Sequence, residues 1–98
     1  MPPVNYLVEF LGTFVFLYII LESAGYQTSQ PFVIVIGLLA AILMFGGVSG
    51  GHFNPAVTTM MWAKGSPDLE PIGYIIAQIA GGLVAYKAHT MITAAKSG

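Results

Sequence analysis

The sequence contains no cysteine. That excludes a disulfide framework and any thiolate metal site, and it leaves the redox compartment unread. Charge is almost as scarce, with Asp, Glu, Lys and Arg making up 7% of the chain, against roughly a quarter in an ordinary soluble domain. Three basic side chains and a formal net charge of -1 provide neither a basic stripe for nucleic acid nor an acidic tail, so neither kind of partner is expected. Two histidines with no carboxylate cluster beside them do not make a metal site. No nucleophile stands with a base and no carboxylates converge, which argues against an enzyme and implies no cofactor.

What the chain does have is apolar surface. Hydrophobic residues form 56% of its 98 positions, more than a chain this short can bury in a core of its own, so lipid must cover the remainder. Between Glu22 and Lys64 no charged residue occurs, and residues 31–48 are almost wholly apolar. As a helix that stretch would be about 27 Å long, close to the roughly 30 Å of a bilayer's hydrocarbon core. It reads as the second of three spans, with the first over residues 6–22 and the third over 71–95. The fold class expected is therefore an all-α integral membrane protein, a single transmembrane domain over residues 1–98. Tyr6 and Tyr74 would sit at one interface and Tyr18, Tyr26 and Tyr86 toward the other, as aromatic belts do. Ser23, Ala24 and Gly25 resemble a signal-peptide cleavage site, but the positive n-region is missing and Glu9 interrupts the apolar run, so the first segment reads as a span.

In the third span Gly73, Ala77, Gly81 and Ala85 recur every four residues. Such a ridge lets helix backbones approach closely where lipid supplies no hydrophobic drive for association. Gly37 and Ala41 repeat the pattern in the second span. Both helices expect neighbours, and Gln78 is placed to bond across one of those interfaces.

The segment from Gly46 to Thr58, GGVSGGHFNPAVT, breaks the pattern. Glycine this dense cannot continue a regular helix, and no charge marks the segment as a solvated loop. Irregular backbone at membrane depth survives only when buried in protein or lining a watery cavity, so a re-entrant loop is expected. Asn54 followed by Pro55 is a helix start, because Asn is a strong N-cap and proline at the first helical position loses no needed N–H. A half-helix then runs from Pro55 through about Ala63, giving a loop and half-helix over residues 49–63. If the Asn54 side-chain oxygen caps Ala56 or Val57, its amide NH2 is left to donate to a passing oxygen. The helix N-terminus adds roughly half a positive charge at the same place. The carbonyls of Gly50, Gly51 and His52 would form a row of acceptors leading there. Donors and acceptors in this arrangement select small neutral polar solutes.

Ser49-Gly50-Gly51-His52-Phe53-Asn54-Pro55-Ala56-Val57-Thr58 resembles the first signature loop of the aquaporin, or major intrinsic protein, family. Glu9-Phe10-Leu11-Gly12-Thr13 and Tyr74-Ile75-Ile76-Ala77-Gln78 with Gly81 agree with the family's flanking helices, so the resemblance covers nearly the whole chain in order. It implies a channel for water or small neutral solutes such as glycerol, with the Asn54-Pro55-Ala56 turn at the pore centre and the Gly50 to His52 carbonyls lining a vestibule. Glu9 would brace the loop by accepting its N–H groups, a role that suits an intramembrane carboxylate. Family members carry two such repeats of opposite orientation, and this sequence carries one. Val57 stands where the second repeat has its filter arginine, and the aromatic filter position falls near Ile34. Lys87 and His89 depart from the apolar residues usual in the third helix, though Lys87 can snorkel to the surface.

Three arrangements follow: an antiparallel homodimer enclosing one pore, a different membrane subunit supplying the other half, or a non-conducting structural subunit of a larger assembly.

Overall fold

The computed structural model describes residues 2–97, and among them there are helices and connecting segments but no strand. Four α-helices follow in order: α1 (Pro3–Ser23), α2 (Gln30–Ser49), α3 (Pro55–Ala63) and α4 (Pro71–Ser97). A 3-10 segment, Ala24–Ser29, joins α1 to α2. It was not visible in the composition, and it reverses the chain where Gln27 adopts φ 51°. Proline stands at the start of α1, α2 and α3, where its fixed φ suits the first turn and its missing N–H costs no bond.

The α1–α2 stretch and α4 are each long and apolar enough to cross a membrane. At 1.5 Å per residue the 27-residue α4 is about 40 Å long, so it runs past a hydrocarbon layer of roughly 30 Å. Lys87 and His89 therefore do not end the helix, which continues to Ser97.

α1 packs between α2 and α4, and α3 packs on α4. α1 and α4 run parallel: the Tyr6 and Tyr74 rings meet edge to face at 5.9 Å, and roughly three to four turns further on Tyr18 meets His89 at 5.4 Å. His89 Nε2 also lies 3.2 Å from Glu22 Oε2, pairing two polar groups near the far end of both helices.

Small residues set these distances. A Cβ on Gly81 would stand 2.6 Å from the Phe10 carbonyl oxygen, so α1 and α4 touch backbone to backbone there. Gly37 faces Ile19 across the α1–α2 contact, where a Cβ would lie 2.8 Å from the isoleucine side chain. Ala41 and Ala85 are fully buried.

The molecule is polar inside and apolar outside. Glu9, Thr13, Ser23, Ser49, Thr58 and Gln78 are buried, while Phe32 is 69% and Leu43 76% exposed. Such a surface is stable only against lipid or protein.

Candidate functional site

The site begins where α2 stops. Gly50 takes φ 94° and its N–H donates to the Gly46 carbonyl at 2.9 Å, a left-handed helix end that glycine adopts without a Cβ penalty. Gly51 follows at φ 64° and Phe53 at φ 52°. A positive φ on a bulky residue is strained and persists only where surrounding contacts enforce it. Here they do: the Phe53 ring is buried, meets Phe45 edge-on at 6.5 Å, and fills the space over Gly12 that any Cβ there would occupy.

Four donors converge on Glu9, which is completely buried. The Phe53 N–H reaches Oε1 at 2.9 Å and Gln78 Nε2 the same oxygen at 2.8 Å. The Ser49 hydroxyl donates to Oε2 at 2.6 Å and the His52 N–H at 3.2 Å. Ser49 Oγ in turn accepts from the Gly51 N–H at 3.3 Å. A buried carboxylate is tolerable when its lone pairs are filled in this way. Glu9 thus acts as an acceptor only, toward donors from α2, the loop and α4.

Gln78 spans α1, α3 and α4, since its second Nε2 bond goes to Thr58 Oγ1 at 2.8 Å. His52 Nδ1 lies 2.8 Å from the same hydroxyl. Tyr74 lies deep in the bundle, not in an interfacial belt. It is 1% exposed, donates to the Ser49 carbonyl at 2.6 Å, accepts from Asn5 Nδ2 at 3.3 Å, and presents its ring to His52 at 5.1 Å. Its hydroxyl caps the end of α2, which draws it inward.

Asn54 precedes α3 in extended backbone, and its Oδ1 accepts from the Ala56 N–H at 2.8 Å. The Nδ2 group is thereby turned outward from a residue that is itself exposed. A cleft of about 370 Å³ opens beside it, and among its lining residues are Thr13, Phe53, Asn54, Pro55 and Gln78. Thr13 Oγ1 and Gln78 Oε1 are buried without a hydrogen-bond partner among the described residues. Of the positions singled out by sequence, Asn54, Pro55 and Gln78 therefore meet at one cleft, while Glu9 and Gln78 meet His52 and Phe53 in the network behind it. Gly50, Gly51, Ala56, Val57 and Ile34 do not line the cleft. Val57 is half-buried on α3 and Ile34 half-buried on α2.

Ser49, Thr58, Thr13 and Tyr74 stand in the segments that carry the family resemblance, but sequence reasoning gave none of them a role in the site. Thr58 carried a usable signal: it lies four residues after Asn54 on the same half-helix face, so a polar partner beside the cap was foreseeable.

These features define a membrane protein built from three long helices around a re-entrant loop and a half-helix. The chain belongs to the major intrinsic protein family, whose profile matches residues 4–97. It is 47% identical over 88 residues to glycerol uptake facilitator protein-like 6 of Lactiplantibacillus plantarum, covering 83% of this chain and 40% of that protein. It is 38% identical over 101 residues to aquaporin Z of Photorhabdus laumondii, covering 92% and 44%. With the propanediol uptake facilitator PduF of Salmonella typhimurium it shares 36% over 98 residues, covering 86% and 37%. The chain thus spans about two fifths of the length of these relatives. The all-helical architecture matches half of an aquaporin fold.

Proposed function

We propose that this chain is a single transmembrane domain forming half of a passive channel for water and small neutral solutes. The observation that carries the reading is the Asn54 cap: Oδ1 is occupied by Ala56 N–H at 2.8 Å, so Nδ2 is free to donate at the positive end of α3. A hydroxyl or water oxygen is favoured there and a cation is disfavoured. Pro55 and Ala56 hold the turn, and the Gly50, Gly51 and His52 carbonyls supply acceptors. Glu9 and Gln78 brace the loop from behind. Val57 and Ile34 contribute apolar filter positions in place of a fixed cation. The relatives named for uptake of glycerol and propanediol fit a pore that takes small hydroxylated solutes.

The second wall of the pore is a second half-repeat. Our reading is a second copy in antiparallel orientation, packed over the cleft beside Asn54 and Pro55. The exposed apolar residues of α2 and of the first half of α4, among them Ile72, Ile76, Ile79 and Leu83, beside a cleft that Leu17, Ile79 and Leu83 also line, support an additional protein layer there. Members of the family are channels, not enzymes. Swelling of liposomes containing the purified protein, in a gradient of glycerol or of an impermeant sugar, tests the reading. Solute and water flux above that of empty vesicles is expected. Flux equal to that of empty vesicles would replace the channel with a structural subunit of a larger membrane assembly.

A further inference from the structure

The donors and acceptors around Glu9 have a direction that can be followed outward. Glu9 accepts from three donors besides Gln78, the Ser49 hydroxyl and the His52 and Phe53 N–H groups, so the Gln78 atom 2.8 Å from its Oε1 is the amide nitrogen; an amide oxygen there would set two acceptors face to face. The same nitrogen spends its second hydrogen on Thr58 Oγ1 at 2.8 Å. The Thr58 hydroxyl proton is then free for another acceptor. Thr59, one residue later, turns its hydroxyl back to the Pro55 carbonyl at 2.7 Å, but Thr58 makes no such bond among the described residues. The remaining neighbour is His52 Nδ1, 2.8 Å away. The second lone pair of Thr58 Oγ1 could also take an Nδ1–H, but the buried Thr58 proton would then have no acceptor among the described residues, whereas donation from Thr58 to the Nδ1 lone pair leaves no hydroxyl proton orphaned.

We infer that Thr58 is a positioning residue that fixes the tautomer of His52, keeping the ring proton on Nε2 as a hydrogen-bond donor for a solute oxygen instead of a lone pair open to a cation. The other ring neighbour, Tyr74, meets His52 edge to face at 5.1 Å with its hydroxyl committed to the Ser49 carbonyl at 2.6 Å, so it offers Nδ1 no competing bond. No hydrogen bond of the described residues uses Nε2, and His52 is partly exposed. The Nε2 edge lies against Gly50, 3.4 Å from where a Cβ would stand, so this donor sits beside the start of the loop, whose carbonyls the proposed function takes as acceptors. A hydroxyl arriving there finds a donor and acceptors together, which a water or polyol can use and a bare cation cannot. The tautomer does not depend on the channel reading; its service to a passing solute does.

The test is nitrogen-15 NMR of the full chain in detergent micelles at a pH of about 8, above the ordinary histidine range. The chain has two histidines, and a His89→Gln variant assigns the two rings. The expected spectrum gives His52 a pyridine-type Nδ1 and a pyrrole-type Nε2. A pyrrole-type Nδ1 in the unmodified protein overturns the inference without recourse to any variant. Thr58→Val should replace the single tautomer by an averaged pair of shifts, and Thr58→Ser should restore it; an unchanged spectrum in the valine variant overturns Thr58 as the cause. In liposomes, Thr58→Val should lower glycerol flux roughly 2- to 10-fold, the worth of one neutral hydrogen bond, with recovery in Thr58→Ser. Absence of flux from the unmodified protein would sink the channel reading, and the spectrum would still decide the tautomer.

Discussion

The Phe53 N–H donates to Glu9 Oε1 at 2.9 Å across 44 positions of sequence, tying a residue held at φ 52° to the second turn of the first helix. The bond helps to explain why so strained a backbone persists. Phe53 is locked at both ends, by the carboxylate on its N–H and by Gly12 beneath its ring.

Replacing Glu9 by Ala should remove four bonds together and leave the buried N–H groups of the loop without an acceptor. Each orphaned donor costs on the order of 1 to 3 kcal/mol. Glu9→Gln keeps one acceptor oxygen, and the Ser49 hydroxyl can reverse to accept from the new amide, so its loss should be smaller. Thermal unfolding in detergent should rank the unmodified protein above Gln and Gln above Ala. Equal midpoints for the two variants would remove Glu9 from the bracing role.

Asn54→Asp should abolish solute flux while leaving the protein folded. A carboxylate can still cap Ala56 and is favourable at a helix N-terminus, but it carries no N–H for a solute oxygen. Stopped-flow light scattering on proteoliposomes, with circular dichroism as the folding control, measures both halves of the prediction. A folded variant with undiminished flux would show that Asn54 does not face the conducted solute.

The ridge on α4 gives a graded packing test. A Cβ on Gly81 would meet backbone, 2.6 Å from the Phe10 oxygen, whereas one on Gly82 would meet the mobile Cδ1 of Leu17 at 2.8 Å. Gly81→Ala should therefore force α1 and α4 apart and cost about 1 to 3 kcal/mol. Gly82→Ala should be close to neutral, because a leucine end can move and alanine is the better helix former. The comparison of their denaturation midpoints checks the helix contact directly.

The spans, the break after α2 and the N-cap at Asn54 were legible because each rests on local chemistry. A charge-free run as long as a bilayer, a cluster of glycines and an Asn-Pro step each carry their own signal. Gln78 and Glu9 could be marked as buried polar groups needing partners. That their partners were Thr58, Ser49 and each other was not legible, since the α1–α4 register depends on the close approach at Gly81. Tyr74 was misplaced for a similar reason: tyrosine composition suggests an interface, and only the tertiary position of the Ser49 carbonyl draws its hydroxyl inward. The spans over 6–22 and 31–48 left a connection between them, but its 3-10 form over Ala24–Ser29 was not legible because Gln27, which takes its positive φ, is not a turn-signalling residue.

Val57 stands three residues past the cap on α3, where the family's other repeat carries an arginine. Val57→Arg would put a guanidinium near the same positive helix end as Asn54, narrowing the passage and adding a fixed cation. Glycerol flux in proteoliposomes should fall more steeply than water flux, because the larger solute has less room. Unchanged permeability to both would place Val57 away from the lumen.

The proposed antiparallel pairing is tested by membrane topology, which depends on where the basic side chains lie. α1 and α4 begin on one side of the membrane and end on the other, so Lys64, Asp68 and Glu70 flank the starting side while Lys87 and Lys96 lie toward the far side. Orientation follows the Lys and Arg excess in short flanking segments, and here it is one against two, too small a bias to hold every copy one way. A family-like orientation, with the 64–70 segment cytoplasmic, runs slightly against that bias. An antiparallel pair of copies needs both orientations in one membrane, and a near-balanced chain permits it. Single cysteines at Ser66 and Ser97 enter a chain that has no others, so an impermeant maleimide reports each position without background. In vesicles, each probe should be labelled partly from outside and fully only after permeabilisation. Labelling of each probe from one face alone would sink the antiparallel homodimer and leave in its place a different membrane subunit that supplies the other half, or a non-conducting structural subunit.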